Sequence, residues 1–208
     1  MNCDLICSGP SSNNVKLHTK TIIAANYSIL NNSINNNHYV IWFLGPNYRY
    51  IDLNNPNEHH IFKDCLPILK IQPNELHIKL HPGASPQKLK FFKQLIKNKY
   101  PDIKFFDVPI GNGSMGCLAL KYALKNFNKV YVCGMECNIG KYEYNTDFRH
   151  LYTDKSLYTH SRYKQITNNP SATHFASDKK ILKQLIATDK ERIIPINSSG
   201  LFTYINSH

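Results

Sequence analysis

The sequence predicts an α/β fold in a single domain, with a mostly parallel β-sheet flanked by helices. Apolar segments with the period of a strand alternate along the chain with segments of helical period, which is typical of such sheets. The 208 residues are 42% hydrophobic, enough for one sizeable core. No internal repeat or change of composition marks a second domain.

Seven strands are predicted. The first, "CDLICSG" at 3–9, stops at Gly9 and Pro10, and the segment "ELHIKLH" at 75–81 alternates apolar and polar residues. The other strands are predicted over 21–27, 39–45, 103–109, 129–135 and 192–197.

Three helices are predicted, over 85–100, 113–127 and 178–190. The first has Ser85 as its N-cap and Pro86 at the first helical position. The second has a glycine-rich start. The third follows closely on His174, which is predicted to lie in the preceding loop.

The polar, tyrosine-rich segment 137–173 is too long for a simple connection in a compact domain. Segments of this length are usually functional or disordered. We predict a flexible lid that becomes ordered when a ligand binds.

The net charge of +11 indicates an anionic partner, such as a membrane surface or a phosphorylated substrate. No zinc-finger, helix-turn-helix or RNP motif is present, so nucleic acid is not the predicted partner. A solvated basic face is the alternative explanation of the charge.

The six cysteines include no CxxC pair, and most of them lie in apolar stretches. No secretory signal peptide precedes them, so we expect buried free thiols in a cytoplasmic protein. The apolar runs are too short to span a bilayer. His59, His60 and Cys65 lack a second pair of zinc ligands, and no metal site is predicted.

Ligands of parallel sheets bind at the carboxyl ends of the strands. Small residues that can present backbone N–H groups and hydroxyls to a phosphate follow the first strand. Amide side chains follow the next two strands, and a carboxylate follows the sixth. The candidate residues are Ser8, Gly9, Pro10, Ser11, Asn26, Asn47 and Glu136.

The segment "GNGS" precedes the second predicted helix and contributes Asn112, Gly113 and Ser114. Free N–H groups and the helix dipole favour a phosphate at such a position. The segment is neither a Walker A loop nor a Rossmann GxGxxG motif in its usual place. His81, in a His-Pro pair, is interpreted as structural, although similar pairs help to bind nucleotides in some two-domain glycosyltransferases.

Taken in order, these segments resemble the bacterial lipo-oligosaccharide sialyltransferases of glycosyltransferase family 42. The resemblance extends over nearly the whole chain, from "CSGPSS" through "TIIAANYSI" and "YVIWFLGPNY" to "IPINSSGLF". It implies a Rossmann-like domain, a variant of the GT-A fold, which binds a nucleotide sugar. The "GNGS" segment falls on the family's TSG motif, and Glu136 takes the place of an aspartate.

The resemblance also implies catalytic roles. "HFASD" matches the family's HSxxxD pattern and gives His174 as the base that deprotonates the acceptor, although a solvated surface histidine remains the alternative. Two lid tyrosines stabilise the departing phosphate in the family. Tyr144 falls on the second, with Tyr142 an alternative, whereas Asn138 replaces the first.

The activity implied is an inverting, metal-independent transfer from a CMP-activated donor, sialic acid or a related ulosonic acid such as Kdo, to a surface glycan. The family's basic residue before its TSG motif is missing here, which leaves both donors open. A lipid-linked acceptor, peripheral contact with the inner membrane and a homo-oligomer are further expectations. The alternatives are a nucleotide-binding module without turnover and a transferase for another nucleotide sugar.

Overall fold

The fold is that of a computed structural model, which describes residues 1–7, 12, 15–45, 47–111, 113–135, 174–196 and 205–206. Within these ranges, seven strands form one sheet in which every neighbouring pair is parallel. Helices pack on both faces of the sheet. The predicted α/β, Rossmann-like class is therefore confirmed, with a sheet that is parallel throughout its described strands rather than mostly so.

Every predicted strand is present, and each is shorter than its predicted range. At the end of the second predicted range, Asn26 begins a 3-10 helix instead of extending the strand. The strands are β1 (Cys3–Ile6), β2 (Thr21–Ala25), β3 (Tyr39–Leu44), β4 (Glu75–Lys79), β5 (Lys104–Val108), β6 (Val130–Cys133) and β7 (Ile193–Pro195).

The strand order across the sheet is β5-β4-β3-β2-β1-β6-β7. The chain thus builds outward from β1 to one edge, and then returns to the other side of β1 with β6 and β7. Parallel strands need crossover connections, and the helices lie within them. The α-helices of the described residues are α1 (Pro86–Lys99), α2 (Met115–Asn126) and α3 (His174–Asp189).

The sheet separates two apolar cores, because successive side chains of a strand point to opposite faces. In β2, Ile22 and Ala24 face the core beneath α1, whereas Ile23 and Ala25 face the core beneath α2 and α3. Trp42 is fully buried on the α1 side. Burying such a side chain contributes on the order of 1.5–3 kcal/mol, so the two cores hold both helical layers to the sheet.

The connection between β3 and β4 contains short helices that the sequence did not predict. They span Asn47–Tyr50, Pro56–Glu58 and Ile61–Cys65, the last being a π-helix. Their buried side chains, Tyr48, Ile61 and Cys65, extend the core on the α1 side. These turns are too short to show a helical period, so they leave no clear pattern in the sequence.

The predicted buried thiols are present in the described part of the chain. Cys3, Cys7, Cys65, Cys117 and Cys133 are buried and unpaired with one another. Burial raises the pKa of both Cys3 and Cys65 to about 12. Cys137 lies outside the described residues.

No helix in the described ranges has both the length and the apolar character needed to cross a membrane. The longest of them, α3, has 16 residues, whereas a bilayer span needs about 20.

Candidate functional site

The strand order of the sheet reverses at β1, which pairs with β2 on one side and with β6 on the other. The N–H of Cys7 donates to the carbonyl of Cys133 at 2.9 Å, so the ends of β1 and β6 lie side by side. In open parallel sheets, ligands bind beyond the carboxyl ends of the strands at such a reversal. We therefore place the candidate site at this edge of the sheet, beyond the ends of β1 and β6.

The first turn of α2 lies against this edge of the sheet. A Cβ atom added to Gly116 would be 3.0 Å from Cys7 Sγ and 3.4 Å from Met135 Cε. Cys7 follows β1 and Met135 follows β6, so α2 begins directly beside the ends of both strands. A side chain at Gly116 would therefore require Cys7 or Met135 to shift by a few tenths of an ångström.

Two of the residues predicted to bind phosphate form the start of α2. Ser114 is the N-cap, and its Oγ accepts a hydrogen bond from the N–H of Cys117 at 3.3 Å. Gly113 has a φ of +114°, and an added Cβ would be 2.6 Å from Ile181 Cδ1. The glycine is thus required by its backbone conformation and by its contact with α3.

Polar side chains from two other elements bind this turn. The N–H of Ser114 donates to Asp178 Oδ1 of α3 at 2.6 Å. Lys79 Nζ, at the end of β4, donates to the carbonyl of Gly113 at 2.7 Å. Asp178 is buried, although carboxylates are seldom fully enclosed, and the N-terminal end of α2 compensates its charge.

Lys79 is partly enclosed by the protein, which changes its pKa. Burial lowers the pKa of Lys79, and the nearby charge of Asp178 offsets part of that effect. Lys79 and Asp178 therefore form a partly desolvated pair of opposite charges on either side of the α2 start.

Asn26 is in the left-handed region, with a φ of +54°, a conformation that asparagine tolerates better than most residues. Its Oδ1 accepts from the N–H of Gly45 at 3.1 Å, and its carbonyl accepts from Trp42 Nε1 at 2.8 Å. These bonds tie the end of β2 to the end of β3. Within the described ranges the Nδ2 group of Asn26 donates to no other residue, so it is available to a ligand.

The amide of Asn47 lies close to that of Asn26. A Cβ added to Gly45 would be 3.5 Å from Asn26 Oδ1, 3.9 Å from Asn47 Nδ2 and 3.7 Å from Met115 Cγ. The backbone of Asn47 is fixed by a hydrogen bond from His59 Nε2 to its carbonyl, at 2.8 Å. The structure thus brings the two predicted asparagines together, beside the first residue of α2.

His174 is the first residue of α3, not a loop residue before the helix. The predicted start of this helix at 178 was therefore wrong. Aspartate is common at helix starts, but Asp178 lies inside α3 and accepts a hydrogen bond from the start of the neighbouring helix α2. His174 and Asp178 are four residues apart, so they are about one turn apart along α3. The backbone of His174 is described; its side chain is not.

The other predicted site residues lie outside the described residues, as does the predicted lid at 137–173. They are Ser8, Gly9, Pro10, Ser11, Asn112, Glu136, Asn138, Tyr142 and Tyr144.

No role is evident from the sequence for Lys79 or Arg49, both of which lie at the carboxyl edge of the sheet. Lys79 is one of the polar residues in the alternating pattern of β4. Arg49 stands two residues after Asn47, in a short helix that was not predicted. The one sequence feature that could have suggested a role in binding was their position, Lys79 at the end of β4 and Arg49 in the connection after β3.

Within the described part of the chain, no three His, Cys, Asp or Glu side chains come together in a way that could hold a metal ion. In comparisons with protein-family models, with curated proteins and with solved structures, nothing matches this chain.

Proposed function

We propose that the protein is an inverting glycosyltransferase that works without a metal ion. It transfers sialic acid, or a related ulosonic acid such as Kdo, from a CMP-activated donor to a glycan. The observation that carries this proposal is the geometry that brings Asn26 and Asn47 together beside Met115, the first residue of α2. The hydrogen bond between Ser114 and Asp178 joins this helix start, assigned here to the nucleotide sugar, to the helix that begins with His174, assigned here as the base.

In the proposed reaction, the bond between the anomeric carbon and the CMP phosphate breaks, and the phosphate leaves with the electron pair. A hydroxyl oxygen of the acceptor forms the new bond to that carbon. Its proton goes to His174, since a histidine of ordinary pKa accepts protons near neutral pH. Tyr144 or Tyr142, with Asn138, donates hydrogen bonds to the phosphate as its negative charge grows.

The paired amides support the nucleotide part of the proposal. An amide side chain both donates and accepts hydrogen bonds, which suits a base edge or a ribose hydroxyl. The Nδ2 of Asn26 has no described acceptor, and Asn47 Nδ2 lies across Gly45 from the Asn26 amide. We assign both residues to the nucleoside.

The acceptor is proposed to be a surface glycan of a bacterial cell, lipid-linked during lipopolysaccharide synthesis. The protein is then expected in the cytoplasm, with peripheral contact to the inner membrane. Its net charge of +11 supports this, because each basic residue near an anionic lipid surface contributes about 1 kcal/mol. A homo-oligomer belongs to the same proposal.

One observation favours a second candidate, a nucleotide-binding module without turnover. The N–H of Ser114, which a phosphate would need, already donates to the carboxylate of Asp178. A negative side chain at this position opposes a phosphate, unless the ligand displaces it or binds beside it. A transferase for another nucleotide sugar is the third candidate.

The test is CMP release by the purified protein in the presence of EDTA, with CMP-sialic acid and CMP-Kdo offered separately. Each donor is assayed with and without a galactose-terminated acceptor. His174→Ala is compared with His38→Ala, a control that changes a histidine just before β3, at the opposite edge of the sheet. We expect release that is lost in His174→Ala and kept in His38→Ala.

The other outcomes separate the candidates. CMP binding without release from either donor would support the binding module. Stronger binding of UDP or GDP than of CMP would support a different transferase. If no nucleotide binds, the proposal fails.

A further inference from the structure

We propose that Arg49, His81 and Lys88 form a binding site for an oxyanion, a phosphate or carboxylate group of a small molecule, at the start of α1. The site lies beyond the carboxyl ends of β3 and β4, apart from the α2 start. Its existence does not depend on the proposed glycosyl transfer. Only its use for the charged part of a CMP-sugar rests on that function.

The guanidinium of Arg49 is held in a fixed position. Its Nη1 donates to Nε2 of His81, because a guanidinium can only donate. Its Cζ lies 4.4 Å from the centre of the Tyr50 ring. The N–H of His81 donates to the hydroxyl of Tyr48 at 3.1 Å, which fixes the turn that carries the imidazole. The cation is therefore preorganised.

No carboxylate in the described ranges forms an ion pair with Arg49. The four described ion pairs involve other residues. Arg49 Nε is buried and has no hydrogen-bond partner among the described atoms, and burial lowers the pKa of the guanidinium. A partly buried cation without a described counter-charge is stabilised when an oxyanion binds to it. Arginine is also the side chain best shaped to bind phosphate and carboxylate groups through two hydrogen bonds.

The start of α1 adds further positive potential. Lys88 Nζ, in its first turn, donates to the carbonyl of Arg49 at 3.3 Å, so this lysine lies next to the arginine. Ser85 is the N-cap, but its side chain makes no capping hydrogen bond. The segment 76–101 contains six lysines and no acidic residue. The first turn of α1 contains no acidic residue, so the helix dipole and Lys88 have the same sign at this point.

The two helix starts at this edge differ in a way that favours α1. At α2, the side chain of Ser114 caps the helix and the carboxylate of Asp178 takes a backbone N–H. At α1, the neighbouring side chains are Arg49, His81 and Lys88, without a described carboxylate. An incoming anion meets competition at α2 and attraction at α1.

The test measures binding of simple anions by calorimetry at low ionic strength. Inorganic pyrophosphate represents a phosphate source, and free N-acetylneuraminate represents a carboxylate source. Wild type is compared with Arg49→Gln, with Arg49→Lys and with Lys63→Gln. Lys63 is an exposed lysine paired with Glu58 and serves as a control for lost charge alone.

We expect saturable binding of at least one anion, weakened about tenfold or more in Arg49→Gln and unchanged in Lys63→Gln. Arg49→Lys keeps the charge but loses the two-pronged geometry, so its affinity should be intermediate. If circular dichroism shows that Arg49→Gln is unfolded, the affinity of Arg49→Lys is compared with that of wild type instead. Binding of pyrophosphate identifies a phosphate ligand, and binding of N-acetylneuraminate identifies a carboxylate ligand.

Equal affinity of wild type and both Arg49 variants would overturn the proposal, as would the lack of saturable binding for both anions. Failure of the glycosyl-transfer proposal gives a different pattern. In that case neither CMP-sugar releases CMP and no nucleotide binds, yet the Arg49-dependent anion binding persists.

Discussion

Lys79 and Asp178 hold the two ends of a single peptide unit. Lys79 binds the carbonyl of Gly113, and Asp178 binds the N–H of Ser114, the other half of the same peptide. One residue ends β4 and the other lies in the first half of α3. The start of α2 is therefore fixed by two elements that are remote from it in the sequence.

Replacing Asp178 by alanine should lower the free energy of unfolding by about 1–3 kcal/mol, since a buried, charge-assisted hydrogen bond is lost. Asp178→Asn keeps an acceptor and should lose less. Urea unfolding monitored by circular dichroism measures both. Asp102→Ala changes an exposed aspartate and should have little effect. Equal stabilities of Asp178→Ala and Asp102→Ala would contradict the role given to Asp178.

Gly113→Ala should destabilise the fold by about 1–3 kcal/mol, because alanine is strained at a φ of +114°. Its Cβ would also meet Ile181 Cδ1. Combining the change with Ile181→Ala removes the contact but not the backbone strain, so only part of the loss should be recovered. Gly111→Ala, at a glycine with an open neighbourhood, is the control, and thermal melting of wild type and of these three variants tests the order.

Asn26→Gly and Asn26→Ala should separate the two roles of this residue. Both lose the hydrogen bond from the N–H of Gly45, but only alanine adds the cost of a positive φ, on the order of 1 kcal/mol. We therefore expect Asn26→Ala to be the less stable variant in urea. If both variants are equally stable, the left-handed conformation does not constrain this position.

The stability of the protein should fall as the pH drops below about 6.5. Burial lowers the pKa of His77, and Glu75 offsets part of this effect. In the window between the folded and unfolded pKa values, the unfolded chain binds more protons, so the free energy of unfolding decreases with decreasing pH. His77→Gln should flatten this dependence. The reference is urea unfolding above pH 7, where the free energies of unfolding of wild type and His77→Gln should depend on pH in the same way. If the variant shows the same dependence on pH as wild type below pH 6.5 as well, the assignment to His77 is refuted.

Iodoacetamide should label Cys3 and Cys65 slowly in the folded protein at pH 8. The thiolate is the reactive form, and burial raises the pKa of each thiol to about 12. Peptide mass spectrometry compares the native protein with a sample in guanidinium chloride, in which both should react fully. Rapid native labelling of Cys65 would mean that the core beneath α1 opens readily.

The regular elements could be predicted because their patterns are local. The alternation in β4 and the Ser85–Pro86 start of α1 depend only on neighbouring residues. The carboxyl-edge position of Asn26 and Asn47 followed from the same patterns and the general rule for parallel sheets.

Long-range contacts could not be predicted in this way. Asp178 binds a residue 64 positions away, and nothing near it in the sequence distinguishes that contact from a cap of its own helix. Arg49 likewise gains its significance from His81, 32 positions later. Side chains that meet only after the sheet has assembled leave no local period to detect.

The central position of β1 also has a consequence for synthesis of the chain. Cys3 in β1 pairs with Val130 in β6, so this strand keeps an unpaired edge until β6 has left the ribosome. Pairings between such distant segments form slowly, and open strand edges promote aggregation. The nascent chain thus carries a half-paired central strand until β6 is synthesised, a period in which chaperone binding would protect it.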